Sequence, residues 1–263
     1  MKTTQLIFGV AMLAIFSLTF SCKKTNRNNA AEVVQQNNLG DVTFLDFAYM
    51  TEQVAKGPLY FSTFNGDCST LVYDTTGTTI TATIDYGTVL CVCNDGKKRM
   101  GKIIIVYPIN NTAIGSITTV SPSNYSVNGS KIEGLRTATV KSNTITEVVS
   151  TATITPGEKL GSITWNANWT RKFIENTNSP NVIAGRNCEI TGTTNGVTAR
   201  GDDFTATITE ALNVQSGCRS IKKGITTITS SNFKDEAQVD YGTGDCDKNA
   251  TLIYGKKEVE LKL

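Results

Sequence analysis

Seven cysteines and no histidine set the chemistry open to this chain of 263 residues. Without imidazole there is no His general base, no Ser–His–Asp triad and no His-ligated metal. Cys91-Val92-Cys93 is C-x-C and not the C-x-x-C of thiol oxidoreductases, so the cysteines read as structural. Asp245, Asp247 and Asn249 open like a calcium loop, D-x-D-x-N. The sixth position, however, is Ala250 where the loop needs Gly, and the twelfth is Lys256 where it needs Glu. Glu133, Glu175, Glu189 and Glu210 are the carboxylates that glycoside hydrolysis would draw on, yet no spacing pairs any two of them. No motif marks a Ser–Lys dyad. No catalytic residue, cofactor or further metal site is therefore assigned.

Two other groups could contact a ligand or carry a modification. Trp165, Trp169 and Phe173 recur every four residues, with Arg171 among them. On a strand these side chains share one face, either as a stacking platform for a sugar or protein or as a stripe of core. Asp74-Thr75-Thr76 resembles a D-[ST]-x acceptor for O-glycosylation.

The elements that position these residues follow from the pattern along the chain. Lys2 and the apolar run Leu6–Phe20 read as an export leader over residues 1–21, too short to be a spanning helix. Leu18-Thr19-Phe20-Ser21-Cys22 resembles a bacterial lipobox, which makes Cys22 the lipidated residue. Residues 22–40, rich in Asn and Gln, read as a flexible tether. At roughly 5–6 Å × √n such a coil would hold the domain some 20–25 Å from the bilayer.

Residues 41–263 read as one all-β domain with a short leading helix. The spacing of Val42, Leu45 and Tyr49 predicts a helix over Asp41–Lys56, capped by Asp41 and stopped by Gly57-Pro58. From Leu59 on, the chain alternates strands and tight turns, and the full sequence has 40 threonines, 22 glycines and only 5 prolines. The predicted fold is antiparallel and hairpin-linked, a sandwich or open barrel. Asn128-Gly129 and Asn195-Gly196 are the sharpest turn signals. Lys102–Tyr107, a continuous apolar run, predicts a strand covered on both faces.

Two stretches repeat. Cys68 precedes Ile84-Asp85-Tyr86-Gly87-Thr88-Val89-Leu90-Cys91, and Cys218 precedes Val239-Asp240-Tyr241-Gly242-Thr243-Gly244-Asp245-Cys246. Each has [IV]-D-Y-G-T-x-x-C, which suggests two related halves, about 59–140 and 141–263. Setting Cys22 aside leaves six cysteines and 15 pairings. The repeat favours Cys68–Cys91 and Cys218–Cys246 and leaves Cys93 and Cys188 for a third bridge between the halves. Cys93 in place of Cys91 as the partner of Cys68 is the main rival, since the two share a face of an extended segment.

Ile84–Cys91, Arg99–Ile103, Asn128–Thr137, Ile163–Trp165, Gly217–Arg219 and Asp240–Thr251 resemble recurring motifs of uncharacterised all-β envelope lipoproteins of Bacteroidetes-type bacteria. The resemblance implies an outer-membrane lipoprotein of unknown activity and carries over no catalytic residue. The expected role is non-catalytic, structural or binding. A surface polysaccharide-binding lipoprotein is the alternative and a hydrolase the third reading. Expected partners are the membrane, through the N-terminal lipid, and an envelope protein or glycan. A formal charge of +2, from 25 basic and 23 acidic residues, argues against nucleic acid. Lys23, Lys24 and Arg27 follow Cys22, and the first acidic residue is Glu32, which favours the periplasmic face over the cell surface.

Overall fold

A computed structural model describes residues 21–65, 68–142, 144–157, 161–174, 187–215, 218 and 220–263. Helix α1 (Ser21–Ala55) and the short α2 (Pro58–Asn65) precede fourteen strands. These are β1 (Thr70–Thr76), β2 (Thr79–Asp85), β3 (Cys91–Val92), β4 (Lys98–Pro108), β5 (Ile117–Val127), β6 (Ser130–Val140) and β7 (Thr144–Thr155). There follow β8 (Ile163–Ile174), β9 (Asn187–Val197), β10 (Asp203–Gln215), β11 (Ile221–Thr229), β12 (Ala237–Thr243), β13 (Asn249–Tyr254) and β14 (Lys257–Lys262). Each strand pairs antiparallel with the next, apart from β3, which pairs only with β4 while β2 and β4 pair directly. The result is one open, hairpin-linked sheet whose ends, β1 and β14, do not pair with each other.

The alternation of the strands puts one face on α1. Ile84, Ile103, Ile105, Val120, Ile154, Ile163, Trp165, Phe204, Val239 and Leu252 point inward and are buried. Facing outward, a single register row crosses every strand from β1 to β14 except β3. It runs Asp74–Thr81–Val106–Thr119–Thr137–Val148–Asn168–Thr193–Thr207–Thr227–Gln238–Ile253–Glu258. Six of its members are Thr, on an outer surface where β-branched polar residues pair well across strands.

From Ala30 on, α1 is held within the curve of the sheet and is buried on nearly every side. Ala30, Val33, Val34, Phe44, Phe47, Met50 and Val54 are buried, and so are the polar Gln36, Asn37, Asn38, Asp41, Thr43 and Gln53. This corrects the reading of residues 22–40 as a flexible tether. The helix predicted from Asp41 extends back to Ser21, through that stretch. Its amides find fixed partners within the sheet. Asn37 Oδ1 accepts from Trp165 Nε1 at 3.1 Å and from Thr194 Oγ1 at 2.7 Å, and Gln36 Oε1 accepts from the Ala199 N–H at 2.8 Å. Partnered amides cost little to bury, so packing overrides a polar composition. Gly40 lets the indole of Trp165 lie against the helix backbone, because a Cβ there would stand 2.5 Å from the ring.

Two strand expectations change. Asn128-Gly129 is the β5–β6 turn, with φ of 50° and 82°, but Asn195-Gly196 lies inside β9, paired on both sides. Gly196 is needed there for close approach, since a Cβ would meet the Thr164 carbonyl oxygen at 2.0 Å. Lys102–Tyr107 buries Ile103, Ile105 and Tyr107, while its other face is partly exposed. Among the described residues no helix is long and apolar enough to cross a membrane.

Candidate functional site

The sheet leaves one stripe of α1 less covered. Asn38, Val42, Leu45 and Tyr49, at spacings of three and four, line a run of hollows beside this stripe. The largest, of about 530 Å3, sits over Asn38 and Val42. One wall is the β3–β4 turn, Asp95 to Lys97, with Asn128 of the β5–β6 turn. The other is formed by Ser220, Ile221, Tyr241 and the Asp247–Asn249 loop.

Both walls are built by the repeated signature. In the first copy, Asp85 Oδ1 accepts the Gly87 N–H at 2.8 Å, and in the second Asp240 Oδ1 accepts the Gly242 N–H at 2.8 Å. Gly87 and Gly242 both have positive φ, 76° and 86°, which explains glycine at that place in each copy. The tyrosine between them is buried in both, Tyr86 against Met50 and Tyr241 at the cavity. The cysteines then close disulfides, Cys68–Cys91 and Cys218–Cys246. The first secures β3, which leads into the Asp95–Lys97 turn, and the second ends immediately before Asp247.

Among the described residues, charge in the interior is gathered into two clusters. Arg99, 1% exposed, donates to both carboxylate oxygens of Asp95 at 2.8 and 2.6 Å, to Asp46 at 2.8 Å and to the Tyr125 hydroxyl at 3.2 Å. Burial works against the charge on Asp46, but Lys97 and Arg99 outweigh it and hold the carboxyl below its usual range. In the second cluster Glu147 accepts from Arg136 at 2.6 and 3.2 Å and from Arg171 Nε, and Arg171 also reaches Glu52 at 2.8 Å. Burial again opposes charge on Glu147, and the two guanidiniums more than offset it. At Glu52 burial prevails and its carboxyl is raised. Asp41 belongs to neither cluster. Desolvation lifts its pKa to about 8, opposed only by the Asn37 amide that donates to it at 2.9 Å.

The predicted site residues fall as follows. Cys22 lies in the first turn of α1; the leader before it lies outside the described residues. Cys93 and Cys188 are buried free thiols, which corrects the expected third bridge. They belong to different clusters: Cys93 adjoins Tyr86 and Tyr125, whereas Cys188 adjoins Arg171 and Glu52, where burial lifts its thiol to about 11. Trp165, Trp169 and Arg171 are 0%, 2% and 6% exposed, so they form core and not a surface platform. Trp165 stacks on Phe44 with ring centres 5.1 Å apart. Asp247 is occupied by its own turn, accepting from the Asn249 backbone and side chain at 2.9 and 3.0 Å, and Asp245 is exposed. Among the described residues no three His, Cys, Asp or Glu are grouped to hold a metal ion. Glu133, Glu189 and Glu210 stand on β6, β9 and β10 and do not converge; Glu175 lies outside the described residues. Asp74, Thr75 and Thr76 are exposed on the edge strand β1.

Asn38 and the β3–β4 turn carried no chemical signal in the sequence. The only available hint was the repeat, whose second cysteine in each copy adjoins a wall of the cavity. Comparison with family models, curated proteins and solved structures found no match.

Proposed function

We propose that this is a lipid-anchored protein of the bacterial envelope, held at the outer membrane with its domain on the periplasmic side, in a binding role without chemistry of its own. The observation that carries the reading is the pair of disulfides flanking one cavity. Such bridges persist in oxidising compartments, which supports an exported chain, and they stiffen a ready-made pocket. The apolar run ending at Ser21-Cys22 supports the anchor. Lys23, Lys24 and Arg27 would each gain about 1 kcal/mol beside an anionic leaflet, drawing that end of the helix to the head groups. Replacing Cys22 with Ser tests the anchor. The wild type should incorporate labelled palmitate and sediment with membranes, and Cys22→Ser should do neither; a variant that stays with the membrane refutes it. Protease shaving of intact cells tests the face, because cleavage before permeabilisation would put the domain outside.

A further inference from the structure

We infer that the cavity over Asn38 and Val42 is a binding site for a neutral saccharide of one or two rings. This rests on the binding role proposed above and gives it a ligand class. Asn38 is 7% exposed and lines the cavity, yet none of the described residues hydrogen-bonds its side chain. Its amide lines the cavity, where a ligand hydroxyl can both donate and accept. Two further amides, both exposed, line it. Asn128 spends its Oδ1 on the Lys98 N–H and Asn249 spends its Nδ2 on Asp247, leaving an amide donor on one side and an amide acceptor on the other. Ser220 and Lys248 complete the polar wall, and Tyr241 adds an aromatic one.

The charges on the walls argue for neutrality. Asp95 is fully engaged by Arg99, and Lys97 is paired with Asp46 at 3.1 Å. Asp247 and Lys248 both line the cavity, so that wall carries both signs of charge. At about 530 Å3 the cavity is within the range that small-molecule sites occupy. Alternating amide donors and acceptors beside an aromatic wall suit a ring with hydroxyls at its rim and C–H groups on its faces.

Saturation-transfer NMR on the full chain tests this. The protein is purified from whichever fraction holds it, so a failed anchor assay does not affect the result. The probes are glucose, galactose, mannose, N-acetylglucosamine, maltose, cellobiose and chitobiose, each at about 10 mM, which detects millimolar binding. At least one should bind. Ser220→Trp, which fills the cavity from its half-buried rim, should abolish the signal. Asn38→Leu should weaken it roughly tenfold through lost hydrogen bonds. Lys248→Ala, on an exposed loop, gives a second folded variant and should weaken binding as well. Silence from the whole panel overturns the inference. So does binding that survives Ser220→Trp with the fold intact, or tighter binding of galacturonate or inorganic phosphate than of any neutral sugar.

Discussion

Asp41 makes the stability of this protein fall as pH rises, and Asp41→Asn should remove that dependence. The carboxyl is 4% exposed and its pKa is lifted to about 8 by desolvation, against roughly 3.9 in an unfolded chain. Between these values the folded state holds a proton that the unfolded state has released. The contribution of Asp41 to stability is therefore greatest below about pH 4, declines as pH rises and levels off once the folded group ionises near pH 8. At 1.36 kcal/mol per pH unit, the loss by pH 7 is roughly 4 kcal/mol. Local opening that admits water would reduce it to about 2 kcal/mol. Asparagine has the shape of the protonated acid and keeps an oxygen for the Asn37 amide, which lies 2.9 Å away. Urea unfolding followed by fluorescence of the buried Trp165 and Trp169 measures the effect. The two proteins should match at pH 4, and the variant should be more stable by about 2–4 kcal/mol at pH 7. With a urea slope of about 2–3 kcal/mol/M, that moves the midpoint by about 1 M. A variant less stable than wild type at pH 7, or a difference equal at pH 4 and pH 8, refutes the reasoning.

Glu147→Leu should cost about 3–5 kcal/mol in the same assay, because it strands Arg136 and Arg171, which are 1% and 6% exposed. Adding Arg136→Met should recover part of that loss, and additive losses would contradict the coupling. Replacing Cys218 and Cys246 together with Ser should lower stability by about 3.5 kcal/mol, the closure entropy of a loop spanning 28 residues; an unchanged urea midpoint would count against the bridge. Gly40→Ala should destabilise by about 1–3 kcal/mol despite alanine's better helix propensity, since its Cβ would meet Trp165. Calorimetry should show the melting temperature falling by several degrees, and a rise would mean that propensity wins.

Much of the sheet could be read in the sequence because its signals are local. Alternation at Thr79–Ile84 and the Asn128-Gly129 turn each act within a few residues, as does the D-Y-G turn with its own side-chain cap. The disulfides were legible because the repeat set like against like. The buried N-terminal half of α1 was not. Nothing within residues 22–40 reveals that Asn37 meets Trp165 and Thr194, 128 and 157 residues away. The Trp165–Trp169 stripe was ambiguous for the same reason: a strand aligns the rings, but only α1 decides whether they meet Phe44 or solvent. Asn195-Gly196 misled because glycine serves close approach as readily as a turn.

The placement of α1 within the sheet also governs how the chain acquires its structure. Apart from the β2–β4 pairing, every strand pairing from β1 to β14 joins neighbours in sequence and can form soon after its two strands emerge. The helix emerges before all of them, yet its wall at β13 is made near the end of the chain. Order of synthesis and order of burial therefore run in opposite directions. Until β8 and β9 are formed, Asn37 has no indole or hydroxyl to hold it, and the inner faces of the early hairpins present isoleucines to water. Such a species is slow to complete and prone to associate. A ribosome-length nascent chain of this protein would consequently need to be kept apart from its copies until its last strands arrive.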